Sequence, residues 1–286
     1  HPCWLSEDEQ GQQHLGAIED AKVYVVRLTQ EPPVRAMLEE PALDAELLGE
    51  EVAKASRGNF LYLYHYAQGL RGGDKTLLDV KALPQGLYGI YGNFLRKIKN
   101  EVADVVYWDR TVKPVLGALA VAREPLTRDQ IARFSGVGQS SAGTLLSLIG
   151  QFLAPSGPDK PARHKLYHPS FGEYVISEEN QDYVSGREAH ARIVAVYQGE
   201  AKTWSEVDWG AVDGYGLRHL PIHMVEAGFE DRLREVLLDF DWLQAKLGAT
   251  HVRGVLQDYD YVTEADAELR VVHEAIKRSA QIVQQD

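Results

Sequence analysis

Residues 125–136 read PLTRDQIARFSG, residues 140–153 read SSAGTLLSLIGQFL, and residues 165–176 read KLYHPSFGEYVI. Thr127 and Gln130 stand three apart, the spacing of a capping box, and open a helix over DQIARF. Gly136 and Gly138 break the chain after it. SSAGTLLSLIGQFL then reads as a third helix running into a strand. A turn follows at PSGPDKPAR (155–163), and KLYHPSFGEYVI begins as a strand with alternating character. Upstream, TVKPVLGALAVA (111–122) reads as an apolar helix. Three helices followed by a two-stranded hairpin over 105–180 make the winged-helix pattern. The competing reading of these residues is a few helices around an irregular loop.

On both sides of this segment the chain reads as helices. Asp44 can cap a helix through Ala55, with Leu48, Val52 and Ala55 on one stripe. Glu46 starts it, Lys54 and Arg57 finish it, and Gly58 supplies a left-handed stop. Asn59 opens FLYLYHYAQGL, with Phe60, Leu63, Tyr64, Ala67 and Leu70 at three- and four-residue spacings, and Gly72 and Gly73 end it. Leu83-Pro84 leads into GLYGIYGNFLRKIKNEV (86–102). Beyond 181, Val236, Phe240, Leu243 and Leu247 in EDRLREVLLDFDWLQAKL (230–247) form an amphipathic stripe. YGLRHLPIHMVEAG (215–228) and ADAELRVVHEAIKRSAQIV (265–283) behave similarly. Helices without alternating strands predict an antiparallel helical stack. No fixed repeat period emerges.

The bulk numbers bound the classes. With 286 residues, 44% of them hydrophobic and 25% charged, the chain has room for two or three small domains of ordinary globular composition. No apolar run approaches the length that spans a bilayer. The chain opens on His1, and its only methionines are Met37 and Met224, so it is expected to be cut from something longer. Cys3 is the only cysteine, which excludes an internal disulfide or a cysteine-based zinc site and predicts a reducing cytoplasm. Residues 1–20 carry neither the basic flank nor the apolar core of a signal peptide. A net charge of −12 argues against nonspecific nucleic-acid binding, which needs cationic contacts.

Several motifs approach catalytic patterns and miss. Gly69-Leu-Arg-Gly-Gly-Asp-Lys75-Thr76 resembles a phosphate loop, but Asp74 replaces its second glycine and a helix precedes it where a strand is required. It reads as a polar loop between helices. His219 and His223, and His164 and His168, are each four apart, yet two histidines leave a zinc short of ligands. The first pair reads as packing and hydrogen bonding between helices. Ser140 comes near a nucleophile elbow without its last glycine or its strand. Ser170 beside His168 makes no dyad by sequence alone. Glu50–Glu51 and Glu178–Glu179 read as solvated helix faces. The third helix of the winged-helix segment lacks arginine and lysine, so base readout is disfavoured and docking on protein is expected, although Lys160, Arg163 and Lys165 lie in the wing.

ASRGNFLYLYHYAQGL (55–70), LPQGLYGIYGNFLRKI (83–98), PLTRDQIARFSG and KLYHPSFGEYVI, in that order, resemble successive landmarks of STAND NTPases of the NACHT and NB-ARC type. YGLRHLPIHMVEAGFEDRLREVLLDFDWLQAKL (215–247) is similar to the helical segment that follows the winged helix there and commonly precedes WD40 repeats, as in apoptotic protease-activating-factor architectures. The resemblance spans about 21 to 286. It implies a mainly α chain: a helical lid over 21–104, a winged helix with a small β-hairpin over 105–180, and an antiparallel helical arm over 181–286. Residues 1–20 would be the trailing edge of a missing NTPase core. The implied function is a non-catalytic regulatory and assembly module that closes over ADP at rest and rearranges for oligomerisation.

His168 matches the winged-helix histidine that touches the ADP phosphate in NB-ARC proteins, with Pro169 in place of the usual acid. Gly58, Asn59 and Phe60 match the lid turn near the adenine, Phe60 standing where proline is usual. The same four residues also read as helix caps, a core aromatic and a strand histidine. No Walker A lysine or Walker B acid is present, so neither ATP hydrolysis nor strong ADP binding is expected of this chain alone. ADP or ATP with magnesium would belong to the parent. The implied partners are the missing core, sensor repeats and other protomers. Two other functions stay open: a helical protein-binding scaffold without a nucleotide role, and a winged-helix DNA-binding regulator.

Overall fold

A computed structural model describes residues 7–39, 42–154, 161–262 and 266–283. Residues 1–6 with Cys3, and residues 155–160, where a turn is expected and where the wing lysine Lys160 lies, are outside the described residues. The chain is mainly α with one small antiparallel sheet, and it divides into two compact units at Asp104 and Val105.

The first unit contains α1 (Glu7–Leu28), α2 (Pro32–Glu39), α3 (Ala45–Ser56), α4 (Phe60–Arg71) and α5 (Gly86–Val102). The helix α1 runs without a break through residues 20 and 21, where the sequence reading placed a domain edge. Its buried Ala21, Val25 and Leu28 recur at four and three residues and pack on α3. The expected α3 stripe of Leu48, Val52 and Ala55 is buried, and the Asp44 carboxylate accepts from Glu46 N at 3.0 Å. Each large apolar side chain so buried contributes roughly 1.5–3 kcal/mol.

The junction between α3 and α4 differs from expectation in one respect. Arg57, not only Gly58, turns left-handed, with φ of 54° followed by 69°. Gly58 is needed for a second reason: a Cβ there would meet the Ala17 Cβ at 2.9 Å. Left-handed backbone costs a side chain roughly 1–2 kcal/mol. Arg57→Gly is therefore expected to raise stability by up to about 1 kcal/mol. Gly58→Ala should lower it by about 2 kcal/mol or more, strain and clash adding. Urea denaturation of the two variants checks the opposite signs.

The second unit opens with α6 (Val105–Tyr107), a π-helical turn at Trp108–Val112, and α7 (Lys113–Val121). Buried Val115, Leu116, Ala118 and Leu119 make α7 apolar all round, the mark of a helix at the centre of a core. Strand β1 (Leu126–Thr127) leads into α8 (Arg128–Ser135), which has the expected capping box: Thr127 Oγ1 accepts from Gln130 N at 3.2 Å, and Gln130 Oε1 from Thr127 N at 2.9 Å. Next come α9 (Gln139–Leu148), β2 (Arg163–His164) and α10 (Pro169–Val175).

On either side of residues 155–160, Ala154 N donates to Lys165 O at 3.0 Å and Tyr167 N to Phe152 O at 2.6 Å, the contacts expected of hairpin partners. The sequence did not anticipate that β2 pairs with β1, Leu126 opposite His164 and Thr127 opposite Arg163. Nor does KLYHPSFGEYVI continue as a strand. Pro169 cannot donate to a ladder but is preorganised for a first helical turn, so the chain enters α10 there. Phe152 and Phe171 stack at 4.1 Å beneath the hairpin.

The remaining helices are α11 (Gly186–Gln198), α12 (Gly214–Ala227), α13 (Glu230–Leu237), α14 (Phe240–Ala249), α15 (Val252–Tyr259) and α16 (Ala267–Val283). EDRLREVLLDFDWLQAKL is thus two helices. Asp239 caps α14 by accepting from Trp242 N at 3.0 Å, and this local bond stops the first helix. The expected stripe splits with it. Val236 is buried, but Phe240 and Leu247 are exposed, and α14 turns Trp242 and Lys246 inward. Trp204, Trp209 and Trp242 meet in one buried cluster, with ring centroids 6.0 and 4.9 Å apart.

Candidate functional site

His168 lies between β2 and α10, exposed on the second unit, and is the N-cap of α10 rather than a residue of a strand. Its Nδ1 accepts the Ser170 amide hydrogen at 3.2 Å and sits 2.8 Å from Ser170 Oγ. An acceptor Nδ1 places the proton of the neutral ring on Nε2. The geometry therefore sets a tautomer whose outer nitrogen is a donor, with the serine hydroxyl donating inward to Nδ1. The Ser170–His168 hydrogen bond that sequence adjacency alone did not establish does exist, but it serves to hold the ring.

Gly58, Asn59 and Phe60 stand together in the first unit. The Asn59 Oδ1 accepts from Leu61 N at 2.9 Å and from Tyr62 N at 3.0 Å, consuming the side chain as a cap. Phe60 is 54% exposed at the head of α4, so the reading of it as a core aromatic is corrected. The core of α4 is made instead by Tyr62, Leu63, Tyr66, Ala67 and Leu70. Gly58 owes its identity to the close approach of α1 described above.

The near-miss motifs resolve into structure. Asp74 is buried, caps a 3-10 turn at Lys75–Leu78, and pairs with Lys97 at 3.5 Å. Ser140 is exposed in the first turn of α9. The leucines of α9 do not form an outward face: Leu145 and Leu146 are buried, and Ser140, Thr144 and Ser147 are the exposed stripe. His164 is held below the usual imidazole range by burial and then by Arg128. Among the described residues no group of three or more His, Cys, Asp or Glu side chains could hold a metal.

His219 and His223 do not converge on one point. His219 bonds Glu124 at 3.3 Å, and Arg218 holds the same carboxylate at 2.5 and 3.2 Å. His223 is fully buried. Its Nδ1 lies 2.7 Å from His190 Nδ1, and its Nε2 lies 2.9 Å from the Tyr215 hydroxyl, which accepts from Arg123 N at 3.2 Å. A relay from Tyr215 through His223 to His190, or its reverse, satisfies every link, and in both a single hydrogen lies between the two Nδ1 atoms. Burial pushes His223 down to about 2 and His190 to about 4. His190 went unnoticed in the sequence because its partner is 33 residues away. No local spacing signals such a pair.

Asp213 is a second hub. It caps α12 at Gly216 N, accepts from Tyr197 at 2.9 Å and Gln130 at 3.2 Å, and pairs with Arg133 at 3.2 Å. Despite the cost of burial, these bonds hold its carboxyl below the usual range. Together with Arg123–Glu226 and Glu124–Arg218, they tie β1 and α8 to α12 within the second unit.

The described residues therefore make a mainly α chain with one small antiparallel sheet. A family model described as the APAF-1 helical domain matches residues 187–281, the span of α11 to α16. The match does not extend to residues 1–186. No curated protein matches the chain. No helix among the described residues is long and apolar enough to cross a membrane.

Proposed function

We propose that the chain is the regulatory part of a nucleotide-governed switch, in which residues 21–104 act as a lid, 105–180 as a winged helix and 181–286 as a helical arm. The observation that carries the reading is the order of parts. A stretch matching the APAF-1 helical domain follows directly on α7, α8, α9 and the small β1–β2 sheet, with His168 at the start of α10. The donor nitrogen of His168 suits a phosphate oxygen of ADP, supplied with magnesium by a nucleotide-binding core outside these residues. Phe60, exposed beside the α3–α4 turn, offers a ring to an adenine face in the same complex. Release of the nucleotide would free the parts for assembly with other protomers.

In this role the chain contributes contacts and no chemistry of its own. Titrated alone with ADP in a calorimeter, it should give no measurable heat at micromolar concentrations. In a polypeptide that includes the core, His168→Ala should lose ADP at least tenfold faster, the equivalent of about 1.4 kcal/mol for one lost hydrogen bond to a charged group. Ser170→Ala should have a smaller effect in the same direction, because the backbone amide still orients the ring. Unchanged ADP retention in His168→Ala would favour a helical scaffold without a nucleotide role. The hydroxyl-lined, cation-free outer stripe of α9 argues against the DNA-binding alternative.

A further inference from the structure

The stripe that the sequence assigns to the core of the arm is on the outside of the molecule. Phe240 is 74% exposed, Leu247 is 49% exposed and Leu243 is half-buried between them. Positions 240, 243 and 247 follow an i, i+3, i+7 spacing, the register of anchors along one helix face. The inward face of α14 is satisfied without them. Trp242 fills the tryptophan cluster, and Lys246 is buried on Asp258 at 2.8 Å. Asp239, which begins α14, sets this rotation by capping the helix two residues before Asp241. The open apolar face is therefore a consequence of how the helix starts.

Acids lie at the head of this stripe, and the nearby cations are turned to other partners; Arg232, one turn before Glu235, lies over the Phe229 ring at 4.4 Å. At the stripe's N-terminal end an open hollow of about 650 Å³ is bordered by Thr203, Ser205, Glu235, Leu238, Phe240 and Asp241. Glu235 and Asp241 are exposed and join no ion pair among the described residues. Arg234 borders the same hollow, but its guanidinium is engaged by Asp266 at 2.6 Å and by Glu268. Lys246, the only cation of α14, is buried with Asp258. An apolar stripe with free acids at its head calls for apolar anchors flanked by cations.

We propose that the outer face of α13 and α14 is a docking surface for a basic amphipathic helix contributed by another polypeptide. A second copy of this chain is a poor occupant. A two-fold contact would set the free acids of one acidic patch against those of its twin, in chains that each carry a net charge of −12. A basic helix instead buries Phe240, Leu243 and Leu247 and neutralises Glu235 and Asp241. This inference stands on the geometry of α14 and does not depend on a nucleotide at His168.

The test uses the full chain and a fluorescein-labelled peptide of about 14 leucines and lysines, long enough for a helix on binding, with leucines at i, i+3, i+4 and i+7. Anisotropy should rise with protein concentration and weaken with added salt. Phe240→Ala with Leu247→Ala should weaken binding by roughly tenfold or more, the size of a truncated interface anchor. Glu235→Lys with Asp241→Lys should abolish most of the salt dependence. Glu178→Lys with Glu179→Lys, an exposed acidic pair elsewhere, should leave binding unchanged. These sites are exposed, and circular dichroism of each variant confirms the fold. The proposal fails if the peptide does not bind, if a glutamate-for-lysine peptide binds equally well, or if the Phe240 variant binds like the parent. It also fails if light scattering shows a dimer that Phe240→Ala dissolves, which would assign the face to a second copy.

Discussion

Lowering the pH from 7 to 5 is expected to cost the second unit on the order of 3 kcal/mol of stability, with His190 and His223 as the cause. Both rings are neutral in the folded chain, at about 4 and about 2, and return to their ordinary value of 6.5 on unfolding. Between those limits the unfolded chain binds protons that the folded chain refuses, so stability falls as pH falls below about 6.5. Each histidine then costs roughly 1.4 kcal/mol per pH unit, or about 2 kcal/mol by pH 5. The geometry gives the same answer as the burial. Only one Nδ1 of the pair can carry hydrogen at 2.7 Å, and a second proton would set two donors face to face.

Asp258 acts in the opposite sense. Burial raises it from 3.8 to about 6 despite Lys246, so between those values the folded chain binds the extra proton and gains stability as pH falls. By pH 5 this offsets roughly 1.4 kcal/mol, which leaves the net loss stated. His190→Asn with His223→Gln keeps polar groups in place but removes the titration. In that variant the change in stability between pH 7 and pH 5 should become much smaller, leaving the part that His164 and His219, also lowered by burial, contribute against the gain from Asp258. Urea denaturation followed by tryptophan fluorescence reads it directly, because Trp204, Trp209 and Trp242 are buried in the same unit. A variant that retains the parent's pH slope would refute the assignment.

Lys246→Met is expected to cost about 3–5 kcal/mol at pH 8, the penalty for stranding a buried carboxylate. Lys246 and Asp258 are 2% and 3% exposed and meet at 2.8 Å, and Lys246 also donates to the Arg218 carbonyl at 3.2 Å. The Asp258 Oδ2 meets the ammonium by charge rather than through a well-aligned hydrogen bond. Burial lowers the lysine and raises the aspartate, so each partner depends on the other to stay charged. Without the lysine the carboxyl can take a proton, and the loss should be smaller at pH 5 than at pH 8. Lys246→Met combined with Asp258→Leu should recover most of the stability, since an apolar pair of similar volume needs no desolvation. If the double variant is as unstable as the single one, the lysine's aliphatic stem and its bond to Arg218 carry the effect instead.

The caps were the most legible features of the sequence. Asp44, Asn59 and the Thr127–Gln130 pair act within three or four residues of chain, so their chemistry is contained in a short string. The helix over 86–102 and the α3 stripe were equally readable, because each stripe finds a partner on its expected side. The arm was less so. A period of three and four residues says that a helix has two faces but not which one meets the protein. In α14 the Asp239 cap and the fit of Trp242 into the tryptophan cluster overrode the larger apolar count of Phe240, Leu243 and Leu247.

His168 shows the same division on a smaller scale. Its identity and the proline after it were plain, and from the proline alone a helix start was available. The alternating run before it favoured a strand, and the strand stops earlier because β2 is aligned by β1, which lies 37 residues upstream of it at the Leu126–Arg163 spacing. By itself the sequence determined the helices, most of their ends and the mainly α class, since caps, glycines and apolar periods act over a turn or two. Only the tertiary structure decided which faces are buried, that two distant histidines share a proton, and that a lysine and an aspartate are locked inside. Those outcomes depend on contacts between residues a dozen or more positions apart, 12 for Lys246–Asp258 and 33 for His190–His223, whose energies are set by burial and not by neighbours in the chain.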